Sequence, residues 1–170
     1  SQFGRCLMFA LMFIGGCAGS TGGGMKVIRH ILFVKILGQE IEHAYHPSVV
    51  RSLRLGGVVY DQQEMRRGIL VYFGLVAIIF AASWLAIVAV EPNSTWPIDE
   101  TENKLIDSAS AVAATLNNIG PGLGIVGAAN NYSDFSPASK LIFTWLMMLG
   151  RLELFSILVI FSWPFWKRPR

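Results

Sequence analysis

Charge is what this sequence has least of. Only 15% of its 170 residues are Asp, Glu, Lys or Arg, against 53% apolar ones, and the charged residues bunch so that long tracts carry none. That profile belongs to membrane proteins rather than to soluble domains. Cysteine is scarce too. Cys6 and Cys17 both fall in the first apolar region, which excludes a disulfide framework and predicts two small buried hydrophobes. Of three histidines, His43 and His46 stand three apart beside Glu40 and Glu42, but no cysteine or further histidine completes a metal set, so they read as part of a solvated segment. No nucleophile–base pair falls on a predicted inner face, which argues against an enzyme. The sequence carries no evident secretory leader, and a start at Ser1 points to a fragment or a trimmed chain.

What is present is hydrophobic length. Gly68 to Val90, GILVYFGLVAIIFAASWLAIVAV, holds 23 residues without a charge, enough at about 1.5 Å per residue to cross a hydrocarbon core of about 30 Å. It predicts a transmembrane helix. Leu141 to Trp163 is as long but carries Arg151 and Glu153 near its centre. A third apolar piece, Cys6 to Ile14, is too short to cross unless the following glycine run and Met25 to Leu37 continue it.

The few charges orient these spans. Met25 to Arg67 holds seven basic residues (Lys26, Arg29, Lys35, Arg51, Arg54, Arg66, Arg67) against four acids, and Lys167, Arg168 and Arg170 follow the last span. Both flanks are expected in the cytoplasm. Glu91 to Ser139 holds six acids (Glu91, Asp99, Glu100, Glu102, Asp107, Asp134) against Lys104 alone, which suits the outer side. The net charge of +3 is thus accounted for by topology and calls for no nucleic-acid partner. Between the charged flanks, Gln39 to Met65 reads as a polar connection, with Leu53 to Asp61 suited to two short strands around Gly56-Gly57. Asn93-Ser94-Thr95 matches a glycosylation sequon, given little weight in a loop of this kind of chain.

Two stretches break the hydrophobic pattern. Glu102 to Leu116, ENKLIDSASAVAATL, has helix-forming composition but too few apolar residues to span, and it runs into Asn117-Asn118-Ile119-Gly120-Pro121-Gly122-Leu123-Gly124. A short helix ending at a Gly/Pro-rich turn between two spans has the layout of a re-entrant pore loop. Irregular backbone survives at membrane depth only where protein buries it or where it lines an aqueous path, and there its carbonyls can replace the hydration shell of a cation. An ordinary external hairpin is the other reading. The second stretch, Gly15 to Gly24, contains six glycines (Gly15, Gly16, Gly19, Gly22, Gly23, Gly24) with Ser20 and Thr21. Each glycine costs a helix roughly 1 kcal/mol relative to alanine, so the segment is expected to leave the helix and to move, with the two hydroxyls serving freed backbone groups. Met25 between the last glycine and Lys26, and Val27 after it, exclude a phosphate-binding P-loop; a glycine-packed helix crossing stays open. Arg151 lies ten residues into the last span, about 15 Å deep. A cation there costs roughly 2.5–3.5 kcal/mol on insertion scales, so it is expected to face the interior. Glu153 points about 200° away from it around the same helix, which leaves the glycine loop carbonyls as partner; a structural anchor is the alternative role.

Together GGCAGSTGGGMK (Gly15 to Lys26), NNIGPG (Asn117 to Gly122) and GRLELF (Gly150 to Phe155), in this order around a helix, pore helix and helix, resemble the TrkH/KtrB family of bacterial potassium-uptake subunits over essentially the whole chain. The resemblance implies an all-α membrane protein of repeated helix–pore-helix–helix units around a central pore. Residues 1–38 would be the inner helix of a third repeat, interrupted by the intramembrane loop 15–24; residues 39–66 the cytoplasmic connection; and residues 67–170 the fourth repeat. That repeat would comprise outer helix 68–90, pore helix 102–116, filter loop 117–124, inner helix 138–163 and cytoplasmic tail 164–170. The implied function is gated, channel-like potassium uptake across the bacterial cytoplasmic membrane, with residues 91–139 external or re-entrant. Asn118, Ile119, Gly120, Pro121 and Gly122 would form the filter, where the carbonyls of Asn118, Ile119 and Gly120 bind the transported potassium ion. Gly15, Gly16, Gly19, Ser20, Thr21, Gly22, Gly23, Gly24 and Arg151 would form the gate below it. No covalent cofactor is implied. The partners implied are the remaining repeats of the same polypeptide, a second copy in a homodimer, a cytosolic ring of nucleotide-binding regulatory subunits and the lipid bilayer, with Lys35, Arg51, Arg54, Arg66 and Arg67 as contact candidates for the ring or for anionic lipid. A sodium-permeable or sodium-coupled transporter of the same fold, and a non-conducting structural subunit, are the alternatives.

Overall fold

The computed structural model describes residues 2–17, 19–20, 22–46, 54–55, 58–59, 62–96, 103–152, 159 and 166. Among them the chain runs through α1 (Gln2–Leu11), α2 (Val27–Tyr45), the strands β1 (Arg54–Leu55) and β2 (Val58–Val59), α3 (Gln62–Val90), α4 (Lys104–Leu116) and α5 (Pro137–Arg151). Thr21, Arg51, Gly56-Gly57, Asp99 to Glu102, Glu153 and the tail basic residues Lys167, Arg168 and Arg170 lie outside the described residues.

The uncharged run does become helix. Met65–Val90 has a mean hydropathy of 2.6 and is, among the described residues, the one helix long and apolar enough to cross a membrane. Little of it is buried within the chain. The helix starts at Gln62, ahead of the apolar run, because Gln, Glu, Met and Arg are good helix formers even where they are solvated. It stops before Glu91-Pro92, since a residue ahead of proline is pushed out of the helical region. α2 likewise runs on to Tyr45, past the apolar end at Leu37, and carries an exposed His43 with His46 just beyond its end. The ring of Phe33 stacks on Phe73 of α3 at 4.3 Å, Arg29 lies 4.2 Å over the Tyr72 ring, and Glu40 pairs with Arg66. β1 and β2 form an antiparallel pair, Arg54 opposite Val59.

α4 is where the core sits. Asp107 to Asn117 are all buried, although the segment is only moderately apolar. Its Ala, Ser and Thr side chains are small enough for α3 and α5 to approach closely, and close packing of small residues is what holds helices together where lipid removes the hydrophobic drive. Its hydroxyls turn back onto the helix: Ser110 Oγ donates to the Asp107 carbonyl at 2.8 Å and Thr115 Oγ1 to the Ala111 carbonyl at 2.8 Å. Ser139, Phe143 and Leu146 of α5 are buried at helical spacing, against a cluster that joins Tyr72, Val76 and Ile87 of α3 to Val112 and Leu116.

Cys6 and Cys17 are exposed, contrary to the expectation of buried small hydrophobes. α1 buries none of its residues against the rest of this chain, and Cys17 lies in the glycine loop that follows it.

Candidate ion filter and gate

α4 ends in a turn that no regular helix continues. The Ile119 amide reaches back to the Ala114 carbonyl at 2.8 Å and the Asn118 amide to Thr115 at 3.2 Å, closing the last helical turn. Asn118 then takes a φ of 54°. Asparagine tolerates this left-handed region better than other side chains, and here its Nδ2 also donates to the Met147 carbonyl of α5 at 3.1 Å. The next residues, Ile119, Gly120 and Pro121, are exposed. Among the described residues the carbonyls of Asn118 and Ile119 accept no hydrogen bond, while that of Gly120 accepts one from the Tyr132 hydroxyl at 3.0 Å. Gly120 has a φ of 103° with open space beside it, so glycine is required there by conformation and not by crowding.

The outer end of the turn is sewn back to α4. The Leu123 amide donates to Ser110 Oγ at 2.9 Å and the Ile125 amide to Asp107 Oδ2 at 3.4 Å. Asp107 sits in the first turn of α4, where the helix dipole favours a carboxylate. The same dipole puts its negative end at Leu116-Asn117, beside the free carbonyls. An electropositive guest is favoured there by about 0.3–1 kcal/mol.

The glycine run leaves the helix as a loop with a closed neck. The Gly15 amide donates to the Met25 carbonyl at 2.8 Å and the Val27 amide to the Gly16 carbonyl at 3.1 Å, so the chain enters and leaves at one place. Inside it, Ser20 Oγ accepts from the Gly22 amide at 3.1 Å, which is the service predicted for that hydroxyl; Thr21 is outside the described residues. The loop docks on the turn and on α5. The Gly24 amide donates to the Gly150 carbonyl at 3.1 Å, Gly24 has a φ of 81° against Asn117, and Gly23 lies against the Asn118 side chain. Gly150 in turn faces the Leu116 carbonyl so closely that a side chain has no room. Three segments far apart in sequence thus meet at one junction.

Arg151, the last residue of α5, lines a cavity of about 200 Å³ together with Ser20, Gly22 and Gly24 of the loop and with Lys26 and Arg29 of the α2 start. Among the described residues a backbone bond, Gly24 to Gly150, ties the loop to α5 one residue from Arg151. Lys26 and Arg29 entered the sequence reading only as topology markers. Their position just after the glycine run, at the cap and in the first turn of α2, was the available signal.

Residues 1–166 match the family of TrkH cation transport proteins. The chain belongs to the TrkH family. It is 39% identical over 161 residues to the Trk system potassium uptake protein TrkH of Escherichia coli K12, covering 95% of this chain and 30% of that protein. The TrkH of Halomonas elongata is 36% identical over 164 residues, 95% of this chain and 31% of the relative. Among solved structures, the crystal structure of the potassium transporter TrkH from Vibrio parahaemolyticus superposes with a TM-score of 0.81 at 36% identity, over 98% of this chain and 33% of that one. The chain therefore spans about a third of the length of these TrkH relatives, and its fold is that of a membrane protein helical but for the short β1–β2 pair. It corresponds to the C-terminal part of the TrkH repeat arrangement.

Proposed function

We propose that this chain forms part of a gated pore for potassium uptake across the cytoplasmic membrane. The observation that carries the reading is the pair of carbonyls at half-buried Asn118 and exposed Ile119, which accept no hydrogen bond among the described residues and stand at the C-terminal end of a buried helix. Such groups are too costly to leave facing lipid, and they suit a dehydrated monovalent cation. The relatives named potassium uptake proteins support that choice of ion. In this reading Asn118, Ile119, Gly120, Pro121 and Gly122 supply one segment of a filter that other repeats complete. The glycine loop lies under it as the gate, and Arg151, Lys26 and Arg29 oppose cation passage while the loop is docked. Flow is passive, down the electrochemical gradient. The cytoplasmic face from α2 to the start of α3 is the surface offered to regulatory subunits, and the assembly is a homodimer.

The test is uptake of rubidium and of sodium into proteoliposomes carrying the full-length protein, with and without Arg151→Ala. Rubidium uptake in preference to sodium, rising several-fold in the variant, is expected. Equal sodium uptake overturns the potassium assignment, and a flux that Arg151→Ala leaves unchanged removes the arginine from the gate.

A further inference from the structure

The turn that exposes Gly120 gives that residue no neighbour on the side where a side chain would stand, and its φ of 103° lies where the backbone has many nearby states. Among the described residues one hydrogen bond restrains its carbonyl, from the Tyr132 hydroxyl at 3.0 Å. Tyr132 is itself firmly seated. Its ring meets Phe143 edge-on at 5.2 Å and Phe135 at 6.1 Å, and Phe135 packs on Phe143 at 5.3 Å and on Trp96 at 5.9 Å. Phe135, Phe143 and Trp96 are each 3% exposed. The cluster draws on the segment after α3, the segment before α5 and α5 itself, so the hydroxyl cannot shift without disturbing the packing of both segments on α5. Burial pushes the Tyr132 hydroxyl up to about 12, which keeps it protonated, and therefore a donor, across the physiological range.

We infer that Tyr132 is a positioning residue of the filter, whose hydroxyl holds the Gly120 carbonyl outward and thereby sets the discrimination between potassium and sodium. The inference rests on the pore reading above. A carbonyl has two lone pairs, so the one left over remains available to an ion. Pulled outward by the tyrosine, it resists the inward collapse that coordination of the smaller sodium ion demands. Without the brace, a glycine at positive φ relaxes towards whichever ion occupies the site.

The experiment compares the full-length protein with Tyr132→Phe, which keeps the ring in its aromatic seat and removes only the hydroxyl, by the ratio of rubidium to sodium uptake in proteoliposomes. The ratio is expected to fall on the order of fivefold, the scale of one neutral hydrogen bond. Phe143→Leu, which loosens the seat but keeps the hydroxyl, is expected to lower the ratio by less. A second reading, on purified protein, is the difference in Tm between potassium and sodium salts, which should shrink in Tyr132→Phe. A tyrosine with only a structural role would lower Tm equally in both salts and leave the uptake ratio unchanged, and that result overturns the inference while the pore reading stands. A wild type that takes up both ions equally overturns the potassium assignment, and this inference with it, while a wild type that takes up neither overturns the pore reading itself.

Discussion

Asn117 and Asn118 are adjacent and chemically identical, yet their surroundings give them different work. Asn117 is buried and its Nδ2 returns to the Ala113 carbonyl of its own helix at 3.0 Å, whereas Asn118 takes the left-handed turn and bonds to α5. Sequence reading singled out the second as part of NIGPG; nothing local separates the two, because the distinction lies in what α5 offers. Glu91 makes the same point more strongly. Like Asp107 it is a buried acid, and its carboxylate accepts from Thr95 Oγ1 at 2.8 Å, the Ser136 amide at 3.0 Å, Ser136 Oγ at 2.8 Å and Ser139 Oγ at 2.5 Å. It thereby staples the end of α3 to the start of α5. Burial raises its pKa, but the Ser139, Ser136 and Thr95 hydroxyls and the Ser136 amide outweigh that and hold it below its ordinary 4.5. A lowered carboxylate contributes stability that is present above the unfolded value and is lost as pH falls through the folded one. Glu91→Gln should therefore lower Tm at neutral pH, with a cost of about 1–3 kcal/mol for each hydroxyl left without an acceptor. Thermal melts of the full-length protein from pH 7 downward check it: the gap between wild type and variant should close as pH drops below 4.5, and a gap that persists would mean the charge is not what matters.

At the scale of elements, α3 was legible because an uncharged run of that length has one stable form in lipid. α4 was legible as a short helix, but not as the buried centre of the chain, since its burial depends on α3 and α5 closing over small side chains. The glycine loop was legible as a break. Its neck was not, because the hydrogen bonds from Gly15 to Met25 and from Val27 to Gly16 join residues on either side of the excursion. The contact between α4 and α5 is set by Gly150, where a side chain would meet the Leu116 carbonyl and the Asn118 amide. Gly150→Ala should push the two helices apart, destabilising the protein by about 1–3 kcal/mol and releasing Asn118 from Met147. Melting should show the first effect. A loss of rubidium selectivity in the same variant should show the second, and an unchanged Tm would mean that α5 tolerates the extra carbon.

For the molecule as a whole, the asymmetry of charge carries the proposed topology: basic residues from Met25 to Arg67, acidic ones from Glu91 to Ser139. His43 and Asn131 are both exposed and fall on opposite sides in that scheme. With Cys6 and Cys17 replaced by serine, Asn131→Cys should react with a membrane-impermeant maleimide from outside intact cells, and His43→Cys only after the cytoplasmic face is opened. The reverse pattern would invert the chain and place the cavity of Arg151, Lys26 and Arg29 on the outer side. Apolar side chains left exposed on α1 and α3, among them Phe3, Met8, Ile78 and Leu85, are consistent with a chain that spans about a third of its TrkH relatives. These faces are uncovered within this chain.

The sequence by itself determined where the membrane helix runs, where helical backbone breaks, which face is basic, and which family the three glycine-bearing motifs resemble. All of these depend on local composition and on spacing along one element. Only the tertiary structure decided that Gly24, Asn118 and Gly150 meet, that Lys26 and Arg29 share the Arg151 cavity, and that Tyr132 holds the Gly120 carbonyl. Those contacts join residues up to more than a hundred positions apart, and they are set by how closely small side chains let α3, α4 and α5 pack.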